Sequence, residues 1–178
     1  MKATSTPMAS SEDSRKDESV VFPCPIIVDT REQSPFEFAG ITADSKQGYR
    51  PIIVEVVRGC LGSGDYSLQG MEQRIAIERK GLEDLFGTLG RGRGRFQREL
   101  IRLSEYDFAA VVVEADWNAI ITAPPEHSKL SPKTIFRSCI AWQIRYPQIH
   151  WWLCPGRRFA ELATFRILER FWKVNGSK

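Results

Sequence analysis

The run FAAVVVEA at residues 108–115 carries no polar side chain before Glu114. A stretch of that kind, without alternation, reads as a strand covered on both faces, since a half-exposed strand places a polar residue at every second position. Such a strand sits inside a sheet with cover above and below. The chain is thereby directed toward a layered α/β fold, a central sheet flanked by helices.

The flanking segments fit that frame. PIIVD at 25–29, PIIVEVV at 51–57 and QIHWWLC at 148–154 are short β-branched or aromatic runs that predict strands. DYSLQ and RIAIERK, joined by GMEQ, predict a hairpin that turns near Gly70. LEDLFGTL and RFQRELIRLSEY predict two helices before the central strand. In SPKTIFRSCIAWQIRYP, Ser131 is placed as an N-cap and Pro132 as the first helical residue, and the helix stops before Pro147. A closing helix runs through RRFAELATFRILERFWKVNG with Gly176 as its stop. No internal repeat occurs. Residues 1–20, rich in Ser, Thr and mixed charge, are expected to be a disordered tail, and residues 21–178 a single domain.

Composition excludes more than it identifies. With 42% apolar and 26% charged residues the chain is ordinary globular material, not collagenous or membrane-spanning. The four cysteines are scattered, without CxxC or zinc-finger spacing, and predict free thiols in a reducing compartment. No apolar run reaches 18 residues and no signal segment opens the chain, so the expectation is a soluble, intracellular protein with no membrane partner. That covers a prokaryotic or phage-encoded protein in the cytoplasm, or a eukaryotic one in the nucleus.

Net charge is only +3, yet the bases are unevenly placed. Arg91, Arg93, Arg95, Arg98 and Arg102 share one short window with a single acid, Glu99. At roughly 100° per residue, Arg91, Arg95, Arg98 and Arg102 fall within about 60° of one another, with Phe96, Leu100 and Leu103 on another face. Such a stripe can track a nucleic-acid backbone, or it can simply be a solvated face. The glycines around it match neither GxGxxG nor GxxxxGK[ST], which leaves a nucleotide pocket unsupported.

The chemistry gathers elsewhere. Along RIAIERK, Ala76, Glu78 and Lys80 point to one face and Ile75, Ile77 and Arg79 to the other. The hairpin brings Asp65 to the end that carries Glu78 and Lys80. Two carboxylates beside an ammonium suit a hard divalent ion and a phosphodiester, the ion on the acids and the lysine on water or developing charge. Asp29 ends the first strand, with Arg31 and Glu32 directly after it, and can join the same region. Asp84 follows Lys80 by four residues, early in a helix. Against this stands the reading of ERK as a charged, solvated strand edge. His127, His150, Trp142, Trp151 and Trp152 are better explained by surface or packing than by catalysis, and Glu114 could reach the site or only cap its strand.

VDTRE, GDYSL, IAIERKGLEDL and GRGRFQREL together resemble the nuclease domain of XPF-type structure-specific DNA endonucleases, whose motif is GD, a variable gap, ERK, three residues and D. Here these are Gly64, Asp65, Glu78, Arg79, Lys80 and Asp84. The resemblance extends over about residues 26–172. It implies a restriction-endonuclease-like α/β core with a central mixed sheet, Mg²⁺ or Mn²⁺ as cofactor, and cleavage of branched, flap or fork DNA in repair or recombination. It further implies metal binding by Asp65 and Glu78 with Asp29 assisting, catalysis by Lys80, and a site completed by Arg31, Glu32, Arg79 and Asp84. The family's usual tandem helix-hairpin-helix domain is not expected in this sequence. The apolar-rich closing helix, with Phe165, Leu168 and Phe171, reads either as core or as a homodimer face, and a homodimer or a partner subunit is the matching expectation. The rival expectations are a DNA-binding module of this fold without catalysis, a nuclease of plain duplex DNA or RNA, and an interaction protein with an acidic partner.

Overall fold

A strand without polar alternation has to be covered twice, and the computed structural model, which describes residues 19–176, shows both covers. Phe108–Val113 forms β7, flanked by β6 (Ile75–Lys80) and β8 (Ile149–Leu153), both parallel to it. Ala109, Val111 and Val113 face one core, and Ala110 and Val112 face the other. The sheet continues outward from β6 through β5 (Tyr66–Leu68), β2 (Ile26–Asp29) and β4 (Val56–Gly59). β5 is antiparallel to both β6 and β2, while β2 and β4 are parallel, so the six-stranded sheet is mixed. This is the expected architecture.

One face is covered by α1 (Leu82–Leu89), α2 (Arg93–Leu103), α3 (Trp117–Thr122) and α4 (Pro132–Arg145), and the other by α5 (Arg157–Asn175). On α2, Phe96, Leu100 and Leu103 are buried, as their spacing demands. Ser131 accepts the Thr134 N–H as the N-cap of α4, with Pro132 in the first turn. Ile75 and Ile77 are wholly buried on the α5 side, each contributing about 1.5–3 kcal/mol relative to exposure. That burial fixes the register of β6 and hence the direction of every side chain after Ile77.

Three boundaries differ from the sequence reading. PIIVEVV is not one strand. Ile52–Ile53 (β3) pairs with Val20–Val21 (β1) in a separate two-stranded ribbon, and the chain then shifts at Val54–Glu55 to pair β4 with β2. The partners lie in different sheets, which a continuous apolar run does not reveal. Of the expected tail, residues 1–18 lie outside the described residues, while Val20 is already hydrogen-bonded to Pro51. The short helix α3, capped by Asp116 on the Ala119 N–H, follows the central strand where no helix was anticipated. Among the described residues no helix is long and apolar enough to cross a membrane.

Candidate active site

The site is built where β6 outlasts its apolar half. Ile77 faces the α5 core and Ala76 the opposite one, so the alternation sends Glu78 and Lys80 toward α2 and Arg79 toward α5. On the α5 side, Arg79 Nε donates to Glu114 at 2.7 Å and Nη1 to Glu32 at 3.2 Å, with the guanidinium above the ring of Phe36. Glu114 also accepts from Arg157. Glu32, Arg79 and Glu114 therefore form an ion-pair network beneath the sheet, and the cleft-forming residues lie on the other side.

Asp65 reaches the same strand end through its backbone. Its N–H donates to Ile77 O at 2.8 Å and its carbonyl accepts from Asp29 N–H at 2.8 Å, tying β6 to β2. Gly64 precedes it at φ +76°, and a Cβ there would lie 3.0 Å from Ile77 O. Only glycine takes that conformation without strain at so close an approach. Asp65 Oδ2 accepts the Arg79 N–H at 2.7 Å. Its Oδ1 has no donor among the described residues.

These residues open on a cavity of about 510 Å³ whose charged lining is Asp29, Arg31, Asp65, Glu78, Lys80, Arg95, Glu99 and Arg102. Most of these charges are already paired. Arg31 binds both oxygens of Asp29, Lys80 donates to Glu78, and Arg102 donates to Glu99. What remains is one acid and one base: Asp65, and Arg95, which has no ion-pair partner among the described residues.

Asp29, expected to assist a metal, is differently employed. Its Oδ1 accepts the Arg31 N–H and Nε, and its Oδ2 accepts Arg31 Nη2 and the Leu61 N–H. Four donors fill the four acceptor positions of a carboxylate. Burial raises its pKa, but these bonds outweigh burial and hold Asp29 below the ordinary carboxylate range. Asp65 and Glu78 go the other way. Burial, and then the charge of Glu78, push Asp65 up to about 8. Glu78 is also raised, chiefly by burial, with Lys80 acting against it. Burial disfavours the charge on Lys80, yet the neighbouring acids, Glu78 foremost, keep its pKa above the usual value.

Two carboxylates that resist ionisation together, beside an open cavity, are a donor set suited to a hard dication, which needs one or two carboxylates and otherwise keeps water. Among the described residues no three His, Cys, Asp or Glu side chains are gathered as a complete protein cage. All four cysteines are free thiols.

The arginine stripe divides. Arg91 precedes α2 and lines a separate groove with Glu126 and His127. Arg93 is bound to Ser138 Oγ and lies over the ring of Trp142. Arg102 is spent on Glu99 and Ser63 Oγ. Arg95 lines the cavity, and Arg98 is exposed outside it. The helix packs close enough to the sheet and to α4 that its two ends find partners within the fold. Asp84 stands exposed in the first turn of α1, outside the cavity lining. The residue missed in the sequence is Glu99, whose only signal is that it is the lone acid among five arginines.

A six-stranded mixed sheet with helices on both faces, presenting carboxylates and a lysine from one strand end, is the fold of an XPF-type nuclease domain. The sequence profile of the ERCC4 domain matches residues 28–163, and the chain belongs to that family. Its structure is similar to that of XPF from Aeropyrum pernix, with a TM-score of 0.60 and 22% identity over 86% of this chain and 64% of that one. It is likewise similar to XPF from Aeropyrum pernix in complex with DNA, with a TM-score of 0.56 and 24% identity over 84% and 65% of the two chains. The chain thus spans just under two thirds of the length of these structures. No curated protein matches its sequence.

Proposed function

We propose that this protein is a metal-dependent DNA endonuclease that hydrolyses phosphodiester bonds at branched, flap or fork DNA inside the cell, in repair or recombination. The observation that carries this is the convergence of Asp65, Glu78 and Lys80 on one cavity that also presents Arg95, an arginine without an ion-pair partner among the described residues. Membership of the ERCC4 family supports the nuclease reading, and the DNA-bound similar structure supports DNA as the ligand.

In this reading Asp65 and Glu78 would hold the cation, Mg²⁺ or Mn²⁺. When bound, such an ion polarises the phosphodiester and makes a water more acidic. Arg95 takes a non-bridging phosphate oxygen, since it lines the cavity without an ion-pair partner among the described residues. Lys80, which lines the same cavity and donates to Glu78, would donate to the attacking water or to the charge that develops on the phosphate. Arg31, held by Asp29 and by the carbonyl of Leu61, forms the opposite wall. Glu32 and Arg79 brace the strand end from the other face. The charge of Asp84 supports Lys80 from the start of α1.

A second subunit is part of the proposal. Helix α4 exposes Ile140 and Ile144, and the edge strand β8 exposes Trp152. The test of activity compares end-labelled forked, flapped, plain duplex and single-stranded DNA with RNA, at one salt concentration, in Mg²⁺, Mn²⁺ and chelator. Cuts near the junction that need metal and vanish in Asp65→Asn are expected. Equal cutting of plain duplex would overturn the junction preference, and binding without cutting would leave a silent DNA-binding module.

A further inference from the structure

Glu99 has no role in the motif, yet it is the carboxylate that α2 places on the cavity wall with Asp65 and Glu78. It is held from two sides. Oε1 accepts the Gly64 N–H at 3.2 Å, and Oε2 accepts Nη2 of Arg102, whose Nε donates to Ser63 Oγ at 3.0 Å. Helix α2 is thereby clasped to the loop that delivers Asp65, one residue beyond the amide that Glu99 binds. A carboxylate offers about four acceptor positions and these contacts use two. The remainder belong to a side chain that lines the cavity.

The location has an electrostatic cost. Glu99 adds negative charge near Glu78, which is already buried, and further disfavours its ionised form. The clasp to Gly64 and Arg102 uses both oxygens of Glu99 as acceptors, which a carboxylate supplies and a neutral amide does not. A third negative charge becomes useful when positive charge enters the cavity.

We infer that Glu99 is a positioning residue of the cation site: it fixes the Asp65 loop through Gly64 and Arg102, and its free acceptor positions take hydrogen bonds from the water that the cation carries. This rests on the reading of Asp65 and Glu78 as the cation's direct ligands. Groups outside the direct ligands that orient a metal's shell commonly change its affinity by about 10–100-fold. The same charge opposes a polyanion when no cation is present. Glu99 therefore favours the cation and disfavours bare DNA, a pairing of opposite effects that a purely structural residue does not produce.

The test uses the full chain and the nearly isosteric Glu99→Gln, measuring Mn²⁺ binding by calorimetry, forked-DNA binding in chelator by fluorescence anisotropy, and thermal melting. Mn²⁺ affinity is expected to fall about tenfold, while DNA affinity in chelator rises about two- to threefold. Glu99→Asp, which keeps the charge on a shorter arm, is expected to recover most of the Mn²⁺ affinity. Wild-type Mn²⁺ affinity in Glu99→Gln, or weakened binding of both Mn²⁺ and DNA, would overturn the inference while leaving the assignment of Asp65 and Glu78 intact. Wild-type protein that binds no Mn²⁺, or Asp65→Asn that binds it unchanged, would overturn that assignment and the role of Glu99 with it.

Discussion

The backbone N–H of Arg79 donates to Oδ2 of Asp65 at 2.7 Å, while the guanidinium of the same arginine binds Glu114 and Glu32 on the opposite face of the sheet. One residue thus touches both sides of the strand end. Its main chain orients an acid of the cavity, and its side chain anchors that main chain from below.

Arg79→Met is accordingly expected to act on stability first. It leaves Glu32 and Glu114 without their shared cation in a largely buried setting, where loss of one partner costs about 3 kcal/mol or more. Urea unfolding should show the lower midpoint. Arg79→Lys should recover only part of it, because an ammonium cannot reproduce the forked geometry.

Asp65→Asn is expected to stabilise the metal-free protein. It removes one of two carboxylates crowded at the strand end, and relief of such functional strain is worth about 1 kcal/mol, a rise in Tm of roughly 2–4 °C for a chain of this size. Melting in chelator and in Mg²⁺ gives the complementary sign: added Mg²⁺ should stabilise the wild type and not the variant.

Lys80→Met should remove chemistry and spare binding. Single-turnover cleavage is expected to fall by at least about 10²-fold, with DNA affinity in chelator changed less than about threefold. Loss of affinity in proportion to rate would make Lys80 a binding residue instead.

Within the arginine stripe the effects should separate. Arg95→Ala is expected to weaken DNA binding and to reduce the salt slope by about one. Arg93→Ala should leave DNA affinity near wild type and lower the melting temperature, since Arg93 is engaged with Ser138 and Trp142. Anisotropy titrations over a series of salt concentrations, paired with melting curves, distinguish the two.

Gly64→Ala is expected to cost about 1–3 kcal/mol from the left-handed backbone alone. The added Cβ also meets Ile77 O at 3.0 Å. Because the next residue is Asp65, Mn²⁺ affinity should fall along with the denaturation midpoint.

Much of the fold was legible in the sequence. FAAVVVEA announced the doubly covered strand, Ser131 and Pro132 announced the start of α4, and the hairpin through Gly70 turned where expected. The break inside PIIVEVV and the short helix α3 were not legible. Both depend on packing against segments distant in the chain, and local apolar pattern is silent about which partner a strand will choose.

The sequence by itself determined that Glu78 and Lys80 share a face and that Arg79 takes the other, because alternation along a strand is a property of the local backbone. Tertiary structure alone decided how the charges were assigned. It filled the last acceptor position of Asp29 with the Leu61 N–H, spent Arg93 and Arg102 on the fold, brought Glu99 to the cavity wall, and left Asp65 and Arg95 there without an ion-pair partner among the described residues. The physical reason is range. Side-chain direction follows from neighbouring φ and ψ angles, whereas the bonds of Asp29 to Leu61, Arg93 to Ser138, Arg102 to Ser63 and Glu99 to Gly64 join residues distant in the chain and exist only once the sheet and its helices have brought them within hydrogen-bonding distance.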